Sequence, residues 1–348
     1  MGLLDRFYKN VGIDLGTANS LVYLQGQGIV VNEPTLVAVN NRTNQILAIG
    51  HEAKKMLDRT PSHISLIKPL MAGVISDFET TQEILKYFLS KANADGFMPR
   101  YHLAAISVPA NLTEVERKSV EDAVISVGVS KVLLVEEPIA AAVGARLPME
   151  EATANMVINI GGGTSEIAII SVGGTVVSKS LKVAGQRLND DIMRFIREEF
   201  KLLIGEPTAE NLKVNIGSAI SLDEKMEMAV RGRDITSGLP KEIIVKGTQI
   251  RAAISRSLKI LAEEVKLVIE EAPPELVGDI LEKGIYLSGG GSLLKGLDKY
   301  IEREITVKTA VVDDPLTCVV RGLGIIIENL PKYQPILSNQ EKPKPVNL

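Results

Sequence analysis

Short apolar runs that end in glycine-centred turns set the pattern of the chain, and one such turn occurs twice. Val11-Gly12-Ile13-Asp14-Leu15-Gly16-Thr17-Ala18-Asn19 leads into a second apolar run at Leu21–Leu24. Val157-Ile158-Asn159-Ile160-Gly161-Gly162-Gly163-Thr164-Ser165 leads likewise into Ile167–Val172. Each copy reads as a strand ending in Asp or Asn, a glycine turn carrying a hydroxyl residue, and a second strand. A third strand follows in both, at Ile29–Val31 after Gly26-Gln27-Gly28 and at Thr175–Leu181 after Gly173-Gly174. A three-strand meander repeated at wide separation predicts an internal duplication. Glycine lets backbone N–H groups approach an anion and Thr or Ser adds a donor, so two facing hairpins could hold a polyphosphate. Taken alone, each turn could equally be a structural hairpin.

Outside the copies the period changes. Apolar residues at helical spacing predict helices over Leu188–Leu203, Gln249–Glu271, Glu275–Lys283 and Leu316–Leu330, and a shorter one near His51–Arg59. Thr113-Glu114-Val115-Glu116 fits a capping box opening a helix that runs toward Val127. Thr35–Val39 and Gln45–Ile49 read as strands, and Ser292–Tyr300 as helix-like. The segment 33–66 interrupts the first copy; 183–246, read as mainly helical, interrupts the second. Glu137-Pro138-Ile139-Ala140-Ala141-Ala142 is expected to form the helix joining the halves, its small residues permitting close packing. The end from Pro331, with four prolines, is expected to be a loose tail. Alternating strands and helices make this an α/β protein.

At 348 residues the chain is long for one domain, so two are expected. A formal net charge of -4 gives no basic footprint, which excludes nucleic acid as the expected partner. The single cysteine, Cys318, lies in an apolar run; it reads as a buried, inert thiol and permits no disulfide within the chain, as in a reducing cytosol. No run is long enough to span a bilayer, no signal-peptide core opens the chain, and Arg6 stands where a myristoylation signal needs Ser or Thr. Any membrane contact is therefore expected through side chains.

These residues resemble the actin, Hsp70 and hexokinase superfamily of ATPases and, within it, the bacterial rod-shape actin homologues of the MreB family, over residues 10 to 330. The stretches that carry the resemblance are Gly12–Asn19, Gly28–Pro34, Glu136-Glu137-Pro138 with its alanines, Ile160–Thr164, Ile204-Gly205-Glu206 with Thr208-Ala209-Glu210, Pro273–Leu276 and Leu287–Leu294. The resemblance implies an actin-like ATPase fold, two duplicated RNase H-like domains each with an inserted subdomain and a nucleotide cleft between. Subdomain IA would comprise 1–32, 67–145 and 315–330; IB 33–66; IIA 146–182 and 247–314; IIB 183–246; with 331–348 as tail.

The same resemblance supplies roles. Gly16, Thr17, Ala18 and Asn19 would cradle the phosphates of ATP or ADP from one side, and Gly161, Gly162, Gly163 and Thr164 from the other. Asp14 would reach Mg2+ through water, with Asn159 a weak second contact; the alternative for Asp14 is a strand-end cap. Glu137 would polarise the attacking water and Thr164 help orient it. Glu206, Glu210 and Lys213 would meet ribose and adenine, or form an exposed helix face. Gly289, Gly290 and Gly291 would lie under the adenosine. Asn159, Gln186 and Asn189 stand where the family usually has Asp, and Met71-Ala72 where an Arg-Asp pair is common. Nucleotide binding with slowed hydrolysis is the expectation.

By resemblance the chain would assemble with itself into double protofilaments, cytoplasmic and peripheral at the inner face of the cell membrane, alongside cell-shape and wall-synthesis membrane proteins. Phe97 and Met98 occupy the place of the family's membrane-inserting loop, and Leu3, Leu4, Phe7 and Tyr8 fall on one side of a possible short helix. Both groups could instead pack into the protein. A plasmid-segregation or division-type actin homologue is the nearest rival. A small-molecule kinase would need a catalytic Asp base that is not identifiable here. An Hsp70-like chaperone would need a further β-rich domain.

Overall fold

The computed structural model of the chain describes residues 8–93, 100–222 and 226–338. In chain order the first half forms β1 (Tyr8–Leu15), β2 (Asn19–Leu24), β3 (Gly28–Pro34), β4 (Val37–Asn40), β5 (Gln45–Ile49), α1 (His51–Lys55), β6 (Ile64–Ile67), β7 (Leu70–Met71), β8 (Val74–Ile75), α2 (Phe78–Ala92), β9 (Arg100–Val108), α3 (Glu114–Ser126), β10 (Lys131–Glu136) and α4 (Glu137–Gly144). The second half forms β11 (Asn155–Ile160), β12 (Ser165–Ser171), β13 (Gly174–Leu181), α5 (Gly185–Phe200), β14 (Leu202–Leu203), α6 (Glu206–Ile216), β15 (Glu227–Asp234), β16 (Pro240–Lys246), α7 (Gly247–Glu270), α8 (Pro274–Lys283), β17 (Ile285–Ser288), α9 (Leu297–Ile305), β18 (Thr309–Val311), α10 (Cys318–Glu328) and α11 (Leu330–Ser338).

The duplication is visible in the sheets. One runs β3-β2-β1-β9-β10 and the other β13-β12-β11-β17-β18. In each, an antiparallel meander is extended by two parallel strands. The parallel strands need helical crossovers, which cover the sheet faces; β11 is accordingly buried at every residue. Each lobe carries an insertion with its own three-stranded sheet, β5-β4-β6 in the first and β14-β15-β16 in the second. The Thr113 capping box forms, Thr113 N donating to Glu116 Oε2 at 2.8 Å and Glu116 N to Thr113 Oγ1 at 3.3 Å.

Four local readings need correction. Residues 183–246 are not mainly helical, because the alternating segment 227–246 pairs as the β15–β16 hairpin. The tail is not loose from Pro331: α11 continues to Ser338, since Ile336 and Leu337 dock into the core beside Val143 and Ile170 while Pro331 sits in the first helical turn, where no N–H is needed. Tyr8 belongs to β1, opposite Arg100, not to a helix. The stretch 292–300 is broken, a 3-10 turn at Gly290–Leu293 preceding α9.

Each sheet has its own apolar core, and a third core joins the lobes around α4, α10 and α11. Ala140, Ala141 and Ala142 are fully buried there. A Cβ at Gly144 would overlap the Cys318 carbonyl, and one at Gly322 the Ala140 carbonyl, so the two helices touch backbone to backbone. Cys318 Sγ donates to the Ala141 carbonyl at 3.2 Å, and burial pushes its pKa up to about 11, an inert thiol.

Adding a methyl group at this crossing must force the helices apart. Gly144→Ala and Gly322→Ala are each expected to lower unfolding free energy by at least about 2 kcal/mol in urea titrations. Gly278→Ala in α8, where a Cβ meets open space, should instead stabilise by about 0.5–1 kcal/mol. Equal behaviour of all three would contradict the backbone contact.

Candidate functional site

The ends of β1 and β11 bring the two glycine turns face to face. Gly161 N donates to the Thr164 carbonyl at 2.8 Å, closing the second turn. Gly162 lies against Ala18 and Gly163 against Thr17, with no room for a side chain at either glycine. The first turn is fixed from outside: Thr35 Oγ1 donates to the Gly16 carbonyl at 2.6 Å, and Gly73 N donates to Thr17 Oγ1 at 3.1 Å. That last bond comes from the β7–β8 turn, where Met71 is 67% exposed and Ala72 holds a left-handed backbone, φ 50°. Asn19 begins β2 and is exposed. Gly161 and Gly162 also turn their carbonyls onto the first amides of α5, accepting from Gly185 N (3.1 Å) and Gln186 N (2.8 Å), so this helix is capped by backbone.

Carboxylates gather beneath the turns. Asp14 accepts from Ser107 Oγ at 2.8 Å, and burial pushes its pKa up to about 6 against that bond. Glu137, the first residue of α4, is raised well above the ordinary value by burial, then by the neighbouring charges of Glu166 and Asp14, with the Asn159 amide opposing. Glu166 is raised by burial too, although Ser180 Oγ (2.5 Å), Ala110 N (3.4 Å) and the Thr164 hydroxyl all favour its charge. Among the described residues no cation pairs with any of the three.

The sheet register explains part of this gathering. Ser288, Asn159, Glu166 and Ser180 stand directly opposite one another on β17, β11, β12 and β13, a polar rung across four strands. Asn159 uses both ends of its amide within the protein: Nδ2 donates to Glu137 Oε2 at 3.0 Å and Oδ1 accepts from Ser288 Oγ at 3.1 Å. The triple glycine packs on the same strand end, Gly289 against Ile160 and Asn159, and Gly291 against Ile160. Gly290 opens the short 3-10 turn between them and β17's connection to α9.

A second polar group lies along α5 and α6. Lys213 Nζ donates to Glu210 (2.7 Å) and to the Gly185 carbonyl (3.0 Å), and Asn189 Nδ2 donates to Glu210 at 2.8 Å. Burial alone would raise the Glu210 carboxyl; Lys213, Asn189 and Lys54 overcome it and hold it below the ordinary value. Asn189 Oδ1 is buried without a hydrogen-bond partner. Glu206 reaches across to Lys68, whose Nζ lies 2.6 and 2.8 Å from its two oxygens.

The structure thus assembles Asp14, the two turns, Glu137, Asn159 and Gly289–Gly291 in one place, with Glu206, Glu210 and Lys213 at its rim. Leu3, Leu4, Phe7, Phe97 and Met98 lie outside the described residues. Sequence reasoning missed Ser107, Glu166, Ser288 and Lys68. Strand alternation puts Glu166 on the face of Thr164, a signal that was available; the others depend on pairing between distant strands and lobes. Among the described residues no group of three or more His, Cys, Asp or Glu is arranged to chelate a metal. The donor set, a partly buried carboxylate without a counter-charge facing two glycine turns, fits a divalent cation shared with a polyphosphate. No helix among the described residues is long and apolar enough to cross a membrane.

Comparison with known proteins identifies the fold and the family. The profile of the MreB/Mbl protein family matches residues 8–335. The cell shape-determining protein Mbl of Bacillus subtilis (strain 168) is 42% identical over 326 residues, 94% of this chain and 98% of the relative. MreB of Escherichia coli (strain K12) is 41% identical over 339 residues, 96% of this chain and 98% of the relative. Among solved structures, MreB5 of Spiroplasma citri bound to ADP superposes with a TM-score of 0.90 at 38% identity, covering 94% of this chain and 98% of that one. The MamK double helical filament, at 21% identity and a TM-score of 0.78 over 93% of this chain and all of the other, shares the fold. This chain belongs to the MreB/Mbl family of actin-like, cell shape-determining proteins.

Proposed function

We propose that the chain binds ATP and ADP with Mg2+ between its two lobes and assembles with itself into filaments that act in rod-shape determination at the inner face of the cell membrane. The observation that carries the nucleotide reading is the pair of facing glycine turns above carboxylates that lack a counter-charge. MreB5 of Spiroplasma citri, crystallised with ADP and with AMPPNP, supports it, and the filament formed by MamK, which shares the fold, supports assembly. Lobes that grow head to tail make a heterologous interface that does not close, which is the geometry of a filament.

In this reading the amides of Gly16–Asn19 and Gly161–Thr164 bind the phosphates, and Asp14 holds the cation, which supplies charge neutralisation to the phosphates when bound. Glu137 orients the attacking water and accepts its proton; burial and the neighbouring Glu166 and Asp14 raise its pKa well above the ordinary value, which makes it the stronger base. Thr164 orients the same water, and Asn159 fixes the Glu137 carboxylate through its amide. An amide at 159 adds no negative charge for the cation, so hydrolysis is slow while binding persists. Phe97, Met98 and the apolar residues Leu3, Leu4 and Phe7 form the proposed membrane contact.

Electron microscopy of ATP-loaded protein, with pelleting on acidic liposomes, tests the whole reading. Filaments are expected, and Phe97→Ser with Met98→Ser and removal of residues 2–9 should abolish pelleting while sparing nucleotide binding. Monomers alone at moderate salt would refute assembly.

For catalysis, Glu137→Ala should reduce phosphate release by about 10²-fold or more with ADP affinity nearly unchanged. Asn159→Asp combined with Asn189→Asp should raise release and make it depend more steeply on Mg2+. Unaltered turnover in the double variant would make the two Asn residues neutral replacements.

Asp14 gives a pH signature. Its folded pKa, about 6, lies above the ordinary value of 3.8, so the folded protein binds the proton more tightly. The stability cost is absent below about pH 4 and grows as the pH rises through 6. Asp14→Asn is therefore expected to stabilise nucleotide-free protein at pH 7.5 by on the order of 2 kcal/mol and to lose that advantage at pH 4, measured by urea unfolding. Mg2+ with nucleotide should reverse the ranking at pH 7.5.

A further inference from the structure

Lys68, just after β6, faces the second lobe. Both oxygens of Glu206 lie within 2.8 Å of its Nζ, and the two side chains are only about one third exposed, 34% and 33%. Two side chains of the inserted segment 33–66 face the first turns of α6. Asp58, in a left-handed turn at φ 58°, sets its carboxylate against Gly205, the residue that caps α6, and leaves no space for a side chain there. Lys54 of α1 lies near enough to Glu210 to help keep it charged. The charges are complementary: carboxylate to helix N-terminus, ammonium to Glu206 and, at longer range, the Lys54 ammonium to Glu210. The first turns of α6 therefore carry both the rim carboxylates of the cleft and the contacts that hold the lobes together on that side.

We propose that Lys68 is a positioning residue of the nucleotide site, acting through Glu206: its ion pair spans the mouth of the cleft, so nucleotide leaves only when the pair opens. This rests on the reading of the cleft as a nucleotide site. Lys68 need not touch the nucleotide. By fixing the Glu206 carboxylate it sets where the rim presents an acceptor, and by joining the lobes it makes release a charge-screened step. The contact through Asp58 supports the same closure independently of Lys68.

Release of radiolabelled ADP, followed by rapid filtration after a chase of unlabelled ATP, tests this in dilute protein kept below assembly. Lys68→Ala should release ADP about three- to five-fold faster than the parent at low salt, the range of a partly exposed ion pair. Lys68→Arg should restore the slow rate. Raising salt toward 0.5 M should bring the ratio of the two rates toward one, because screening removes the pair in the parent. Asp58→Asn should give a smaller acceleration in the same direction. Equal rates for Lys68→Ala and the parent at low salt, or a ratio that salt does not change, would overturn the proposal. Protein that retains no ADP at all would instead overturn the nucleotide reading, and urea unfolding confirms that each variant is folded.

Discussion

Where α4 crosses α10 the two backbones touch, and the position of every functional side chain follows from that contact. Helix α4 leaves β10 of the first sheet and packs on β11 and β12 of the second, while α10 packs on β1, β2 and β9. Only glycine at 144 and 322, with alanines at 140–142 between, lets these helices approach so closely. The strand ends that carry Asp14 and Asn159 are thereby aimed into one space. Glu137 opens α4 itself, so the helix on which the lobes are joined also carries the proposed catalytic carboxylate. In the proposed reading, Glu137 at the start of this helix and Thr164 in the turn before β12 would act on the same water, so the packing of α4 on the second sheet would set their separation.

Electrostatics beneath the turns oppose the apolar packing. Asp14, Glu137 and Glu166 are gathered with hydrogen-bond donors and without a cation, and burial is the first cause of the raised pKa of each. Three such groups are held in place only because the surrounding sheets and helices are stable enough to carry them, which is the usual relation between a functional site and its scaffold. Asn159 moderates the conflict. A carboxylate there would stand opposite Glu166 and against Glu137, a fourth negative charge in one cluster, whereas its amide donates to Glu137 and accepts from Ser288. The amide at 159 thus leaves the cluster with one negative charge fewer than a carboxylate would.

Much of this was legible in the sequence because the strongest signals are local. The doubled meander appears as two short apolar runs ending in glycine turns, and the five-stranded sheets repeat it strand for strand. The Thr113 box and the long helix α7 were equally plain from spacing. Legibility failed where tertiary contact decides. Pro331 and Pro335 read as helix breakers, yet α11 forms because Ile336 and Leu337 find a core to enter. The hairpin at 227–246 does alternate, with Met228, Val230, Ile243 and Val245 turned inward, but the runs are short and lie beside strongly helical sequence, whose period dominates the segment. Lys68 and Glu206 are separated by 138 positions, and no local pattern announces that they meet.

The contacts that join the lobes differ in what can loosen them. The α4–α10 crossing is apolar and close-packed, indifferent to salt and intolerant of an added methyl group. The mouth is charged and partly exposed, weak in free energy but responsive to ionic strength and to whatever occupies the rim. The floor responds to neither of these; its carboxylates answer to proton or cation. A rigid joint at one side, a screened latch at the other and a charge-sensitive floor between them make a lever with a fixed fulcrum. Since an apolar fulcrum cannot register a charge, an occupant of the proposed site would act through the floor and be felt at the mouth, where Lys68 and Glu206 meet.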